Sequence, residues 1–333
     1  MKEAQYWVQK DKTKNSALCG LCPHGCVINP DKYGICGARK NVAGKLFSVS
    51  YNELTSVNLD PIEKKPLYHF FPGSKILSVG SFGCNFKCSF CQNWEISQSG
   101  LGEAPTQTIT PEKIVEMALA AGSIGIAYTY NEPFMNYEWV KDVSKLAKPA
   151  GLVNVLVTNG YINPEPLSEL LPFIDAANVD IKSFTEGFYN KICRGRLAPV
   201  LETVKAMVKS GVHVEITTLL VPGENDSPAE LEKLADWIAQ LSPEIPLHFS
   251  RYFPSYNMDT GPTRAESLEL AWKTAKKKLK YVYVGNIDMP QYSKTICPSC
   301  ENVLIERNGY AVKMPGIKGG RCAKCGKEIN ISG

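Results

Sequence analysis

Short apolar runs alternate with longer amphipathic stretches through the middle of the chain. Residues 76–81, 124–130, 153–158, 177–182, 212–220 and 246–253 read as strands: each is brief, rich in β-branched or aromatic residues, and bounded by turn formers. Between them, residues 111–121, 137–147, 166–171, 199–210 and 228–240 have the length and spacing of helices, and most open on the proline or acidic residues that favour a helix start. This alternation is the signature of a parallel sheet. It predicts an α/β fold, a partial (β/α)6 barrel over residues 71–290, with its chemistry at the carboxyl ends of the strands.

The flanks follow no such period. Residues 1–70 hold one short alternating run, 45–51, and a proline-punctuated connection at 60–69 that includes His69, read as a loop histidine at a domain seam. Cysteines take the place of an apolar core there. Cys19, Cys22, Cys26 and Cys36 are interleaved with glycines that let the backbone turn tightly, which predicts a four-sulfur metal site. Zinc and an iron–sulfur cluster both suit four thiolates, and zinc is the reading preferred from the residues. His24, inside the group, reads as a bystander. In residues 291–333, the pairs Cys297/Cys300 and Cys322/Cys325 are separated by 21 residues and predict a zinc ribbon whose metal supplies much of the folding energy.

Composition narrows the class. Among 333 residues, 44% are hydrophobic and 21% charged, as in a globular protein, and a net charge of +4 does not favour nucleic acid as a partner. The 12 cysteines fall into three clusters plus Cys193, which is how metal ligands are distributed in a reducing cytoplasm. Cys193 reads as an inert thiol, while Arg194 and Arg196 beside it offer a grip for an anionic substrate. No leader-like segment opens the chain and no run reaches the roughly 18 apolar residues of a membrane span. The five lysines of 273–280 read as a solvated face.

Candidate chemistry gathers at the strand ends. After the first strand, Gly83 leads into Cys84, Cys88 and Cys91, spaced Cys-x-x-x-Cys-x-x-Cys. Three thiolates are one fewer than a four-iron cluster takes, so one iron stays open to a ligand; a zinc site borrowing a distant fourth ligand is the alternative. The second strand ends in Thr129-Tyr130-Asn131-Glu132-Pro133 and the third in Thr158-Asn159-Gly160. In the fourth, the period of two sends Asn178, Asp180 and Lys182 to one face, where buried charges need partners. In the fifth, Glu215 and Thr217 share a face and Leu219 leads into Val221-Pro222-Gly223. The sixth carries His248 and Arg251, candidate catalytic residues that fall on opposite faces.

With Phe90 before its last cysteine, the triplet resembles the signature of the radical SAM superfamily. That resemblance implies a four-iron, four-sulfur cluster on Cys84, Cys88 and Cys91, reductive cleavage of S-adenosylmethionine to a 5′-deoxyadenosyl radical, and an electron donor such as flavodoxin or ferredoxin. Glu132 and Pro133 resemble the end of the family's Gly-Gly-Glu motif, although Tyr130 and Asn131 replace both glycines. Thr158-Asn159-Gly160, Asp180-x-Lys182 and the Val-Pro-Gly turn are similar to those of pyruvate formate-lyase activating enzymes. The positions this marks for S-adenosylmethionine are Phe90, Tyr130, Asn131, Glu132, Thr158, Asn159, Asp180, Lys182, Thr217 and Leu219. The order of motifs from the N-terminal cysteines onward resembles the radical SAM enzyme of the AmmeMemoRadiSam system, which implies partners of the Ammecr and Memo types. Radical modification of RNA and a non-enzymatic metal-binding scaffold are the competing classes.

Overall fold

The computed structural model describes residues 1–333. Its centre is one eight-stranded sheet: β1 (Ser56–Pro61), β2 (Lys75–Gly80), β3 (Gly125–Tyr128), β4 (Val153–Thr158), β5 (Ala176–Asp180), β6 (His213–Leu220), β7 (Leu247–Arg251) and β8 (Val282–Gly285). The strands lie in chain order, β2 to β8 all parallel and β1 antiparallel to β2, and the two outer strands do not pair with each other. All the carboxyl ends of the parallel strands therefore meet at one edge. The helices α1 (Pro111–Ala120), α2 (Tyr137–Ala147), α3 (Pro164–Leu170), α4 (Leu197–Lys209), α5 (Pro228–Leu241) and α6 (Ala265–Lys276) each occupy a crossover.

Local chemistry sets these elements. Thr110 and Ser227 accept hydrogen bonds from the Lys113 and Glu230 amides, ahead of Pro111 and Pro228, and such caps stabilise a helix by about 1 kcal/mol each. Ile114, Val115 and Ala118 of α1 and Leu231, Leu234 and Ile238 of α5 form the buried faces. The central strands are buried on both sides, hence the apolar stretches at 125–128 in β3 and 155–157 in β4.

Two strands exceed the six expected. β1 lies partly in the stretch expected to be a connection; as an edge strand with Asn58 and Leu59 exposed, it offers no apolar run to recognise. β8 is only four residues long and follows the lysine-rich stretch. Those lysines are largely engaged at the surface: Lys273 pairs with Glu269, Lys278 with Asp236 and Lys280 with Glu244.

The flanking segments brace the sheet. Arg39, in a small N-terminal sheet, makes a fully buried ion pair with Glu138 of α2 (2.6 Å) and donates to the Gln5 carbonyl (2.8 Å). At the other end, the tail lies against the base of the sheet: Phe71 N–H donates to the Ser332 carbonyl, and Arg307 sits 4.0 Å from the Tyr68 ring centre while donating to the Tyr68 carbonyl. No helix is long and apolar enough to cross a membrane.

Candidate active site

A cavity of about 520 Å³ opens at the carboxyl edge of the sheet. Cys84, Cys88 and Cys91 line it from the loop after β2, and Glu132, Thr158, Asp180, Lys182 and Thr217 line it from the ends of β3 to β6. Phe90, Tyr130, Asn131, Asn159 and Leu219 border the same space, so every position marked for S-adenosylmethionine lies together.

The cysteine loop is held from several sides. Lys87 N–H donates to the Cys193 carbonyl (2.9 Å), Gly83 N–H to the Ile96 carbonyl (2.9 Å), and Asn131 bridges the β3 end to the loop by accepting from Ser81 N–H and donating to the Gly83 carbonyl. Asn159 Nδ2 donates to Asn85 Oδ1 (2.9 Å) and stands 3.7 Å from Cys84 Sγ, which also faces Phe86 N–H at 3.4 Å. These two N–H groups suit a thiolate at Cys84. Burial, with Glu132 adding to it, pushes the free Cys84 thiol well above its ordinary value; Cys193 and burial do the same to Cys88. A bound metal centre reverses that order by stabilising the thiolate.

Glu132 is more committed than its motif suggests. Its Oε1 accepts from the Thr158 hydroxyl (2.7 Å) and Phe134 N–H (3.1 Å), and its Oε2 from Asn159 N–H (2.8 Å). A carboxylate has about four acceptor directions, so Oε2 keeps one for a ligand. Burial pushes its carboxyl up to about 7 against these hydrogen bonds. Tyr130, where the motif has glycine, adopts φ 71°, the left-handed conformation glycine enters freely. A bulky residue there costs on the order of 1–3 kcal/mol. Its hydroxyl donates to Asp60 Oδ2 (2.5 Å) and Lys65 Nζ lies 4.5 Å from its ring centre, contacts that hold the strained backbone.

β5 ends at Asp180, one turn of the period short of the expected face, and its polar residues fall in two layers. Asn178 donates to the Pro66 carbonyl, while Asp180 and Lys182 form a 2.8 Å ion pair at the cavity. Burial lowers the Lys182 ammonium, but Asp180 and Cys88 outweigh it and hold it above the usual lysine value. Thr217 Oγ1 is buried with no partner, a polar atom free for a ligand.

The proposed catalytic pair is not brought to the cavity. His248 Nε2 is 2.6 Å from Glu215 Oε2, its ring stacked on Tyr283, in a network below the cavity that also engages His213 and the Tyr68 and His69 amides. Arg251 donates to the Thr263 carbonyl and stacks on Phe253; the strand period that separates the two also turns Ser250, not Arg251, toward the cavity. Asn85 and Lys65 went unmarked in the sequence. Asn85 lies inside the cysteine motif, a signal available in principle, whereas Lys65 reaches the cavity from a loop with no motif of its own.

The other cysteine groups differ in geometry. The four ribbon sulfurs lie within 4.8 Å of one another, with Cys297–Cys325 and Cys300–Cys322 both at 3.6 Å, a set able to hold one metal ion. Cys19, Cys22, Cys26 and Cys36 surround a separate void, more widely spaced. His24, expected to be a bystander, donates through Nε2 to the Asn85 carbonyl (2.7 Å) and so ties that segment to the triplet loop.

The sequence model of the Radical SAM superfamily matches residues 78–238. An uncharacterized protein of Methanocaldococcus jannaschii is 43% identical over 99% of both chains. The pyruvate formate-lyase-activating enzyme of Clostridium pasteurianum is 26% identical over 60% of this chain and 85% of its own. Among solved structures, a radical SAM methyltransferase from Sphaerobacter thermophilus has 20% identity and a TM-score of 0.49, covering 65% of this chain and 67% of that one.

Proposed function

We propose that in this radical SAM enzyme Cys84, Cys88 and Cys91 hold a four-iron, four-sulfur cluster whose open iron takes S-adenosylmethionine. The observation that carries this reading is the meeting, in one cavity, of three thiols set apart from one another with the polar ends of four successive strands. When bound, the cluster supplies the electron that breaks a carbon–sulfur bond of S-adenosylmethionine, giving methionine and a 5′-deoxyadenosyl radical that takes hydrogen from the substrate.

The chain's own groups set the stage. Asn159 and Phe86 direct N–H groups at Cys84, Glu132 offers its remaining Oε2 direction to the methionine ammonium, and Thr217 its free hydroxyl. The Asp180–Lys182 pair presents both charges to a zwitterionic ligand. Phe90, Tyr130, Asn131, Thr158 and Leu219 wall the same space, which partial-barrel architecture leaves open at the carboxyl edge for a protein or small-molecule substrate. Membership of the AmmeMemoRadiSam system, with Ammecr-type and Memo-type partners, a flavodoxin or ferredoxin as donor and zinc in the ribbon, completes the proposal. The pairing of Lys273, Lys278 and Lys280 with carboxylates argues against an RNA-binding patch.

The test is magnetic. The reconstituted, reduced enzyme is mixed with S-adenosylmethionine labelled with nitrogen-15 in its amino group. The label's hyperfine coupling to the cluster signal is expected; a signal that S-adenosylmethionine leaves unchanged would refute the assignment.

A further inference from the structure

The N-terminal cysteines meet behind the triplet loop. Cys19, Cys22, Cys26 and Cys36 line a small void together with Ile28, Met135 and Arg39. Their spacing can be judged against two other cysteine groups of the same chain. Sulfurs on a tetrahedral zinc, at ~2.3 Å from the metal, stand about 3.8 Å apart; the ribbon sulfurs, with contacts of 3.6 Å, match that spacing. A four-iron cluster puts each thiolate on a different corner, roughly 6 Å from the next. Cys84, Cys88 and Cys91 do not crowd within 4.8 Å, and no three of the N-terminal sulfurs do so either. The N-terminal four, like the triplet, therefore lack the close spacing of the ribbon.

Arg39 is a second, independent observation. It is 1% exposed and lines the same void; other nitrogens of its guanidinium reach Glu138 and the Gln5 carbonyl, yet its Nε has no partner. A buried donor left unmade costs about 1–3 kcal/mol, so an acceptor within its reach would be stabilising. A cluster sulfide or cysteine thiolate supplies one. The site also abuts the active-site loop: at Gly83, with φ 84°, an added Cβ would lie 2.4 Å from the Cys36 carbonyl oxygen. Only glycine allows that approach, one residue before Cys84.

We propose that Cys19, Cys22, Cys26 and Cys36 hold a second four-iron, four-sulfur cluster, toward which Arg39 Nε directs its hydrogen, in place of the zinc preferred from the sequence. The spacing argument rests on reading Cys84, Cys88 and Cys91 as a cluster site.

The test is metal analysis of the full chain, purified and reconstituted anaerobically, beside a variant carrying Cys84→Ala, Cys88→Ala and Cys91→Ala. The unaltered chain is expected to hold about eight iron, about eight acid-labile sulfide and about one zinc, and the triple variant about four, four and one. An iron-free triple variant with about two zinc, or one with about two iron and two sulfide, would overturn the proposal. Adding Cys22→Ala to the triple variant should remove the remaining iron, and iron that persisted would place the cluster elsewhere. Failure of the active-site reading looks different: the unaltered chain and the triple variant would then hold equal iron.

Discussion

Lys182 Nζ lies 2.8 Å from Asp180 Oδ2 at the cavity end of β5, two residues apart on one face. Each charge offsets the other while both remain within reach of a ligand. Removing Asp180 leaves an ammonium facing the ammonium of S-adenosylmethionine. The side chains keep 16% and 28% of their exposure, so the loss falls short of a fully buried pair's. Asp180→Ala is expected to weaken S-adenosylmethionine binding about tenfold, or about 1.4 kcal/mol, and to slow cleavage without any substrate present. Arg194→Ala, on an exposed loop beyond the cavity lining, should leave that uncoupled cleavage unchanged. Quantifying 5′-deoxyadenosine against cofactor concentration separates the two.

Glu138 is fully buried between Arg39 and Gln5. Glu138→Ala strands the Arg39 charge and should cost about 3–5 kcal/mol of stability. Hydrogen exchange is expected to rise first in residues 1–50, and uniform exchange across the chain would show that this segment does not depend on the pair.

His69 links the sheet to the tail. Its Nδ1–H donates to the Asn330 carbonyl (3.0 Å) and its Nε2 accepts from the Tyr283 hydroxyl (2.6 Å), so the folded protein holds it neutral. Burial lowers its pKa from 6.5 to about 4, with Arg307 and His213 adding to that and Glu215 opposing it. Between these values the unfolded chain binds a proton that the folded one does not. Stability from this group is thus whole above pH 6.5 and declines as the pH falls toward 4, by roughly 3 kcal/mol in total. Urea unfolding at pH 7.5, 6 and 5 should show this slope in the native protein and a shallower one in His69→Asn; identical slopes would exclude His69 as their source.

Cys297→Ser with Cys322→Ser should release about one zinc and free residues 291–333 from the base of the sheet. Because the cavity lies at the opposite edge, cofactor cleavage should persist. Loss of iron from the double variant would show that the ribbon supports the cluster site directly.

The cavity was legible where its signals are local. Cys84, Cys88 and Cys91 lie within eight residues, and the period of two put Asp180 and Lys182 together, where they pair at 2.8 Å although β5 itself ends at Asp180. What depends on partners distant in the chain was not legible. Tyr130 can occupy a glycine's conformation only because Asp60 and Lys65, from the edge-strand region, hold its side chain. Glu132 binds Thr158 and Asn159 across the α2 crossover, so its motif did not disclose how few acceptor directions remain. His248 has the residue type of a catalyst, but Glu215, Tyr283 and the Tyr68 amide engage the group it belongs to, and none of these contacts leaves a periodic trace.

The most direct measurement is of 5′-deoxyadenosine and methionine released when the anaerobically reconstituted enzyme is reduced with dithionite in the presence of S-adenosylmethionine. Equal amounts of the two products are expected from the native protein, and neither above background from Cys84→Ala, Cys88→Ala or Cys91→Ala. Product formed equally well by the triple alanine variant, or none from a native protein whose iron is fully loaded, would contradict cleavage at these three cysteines.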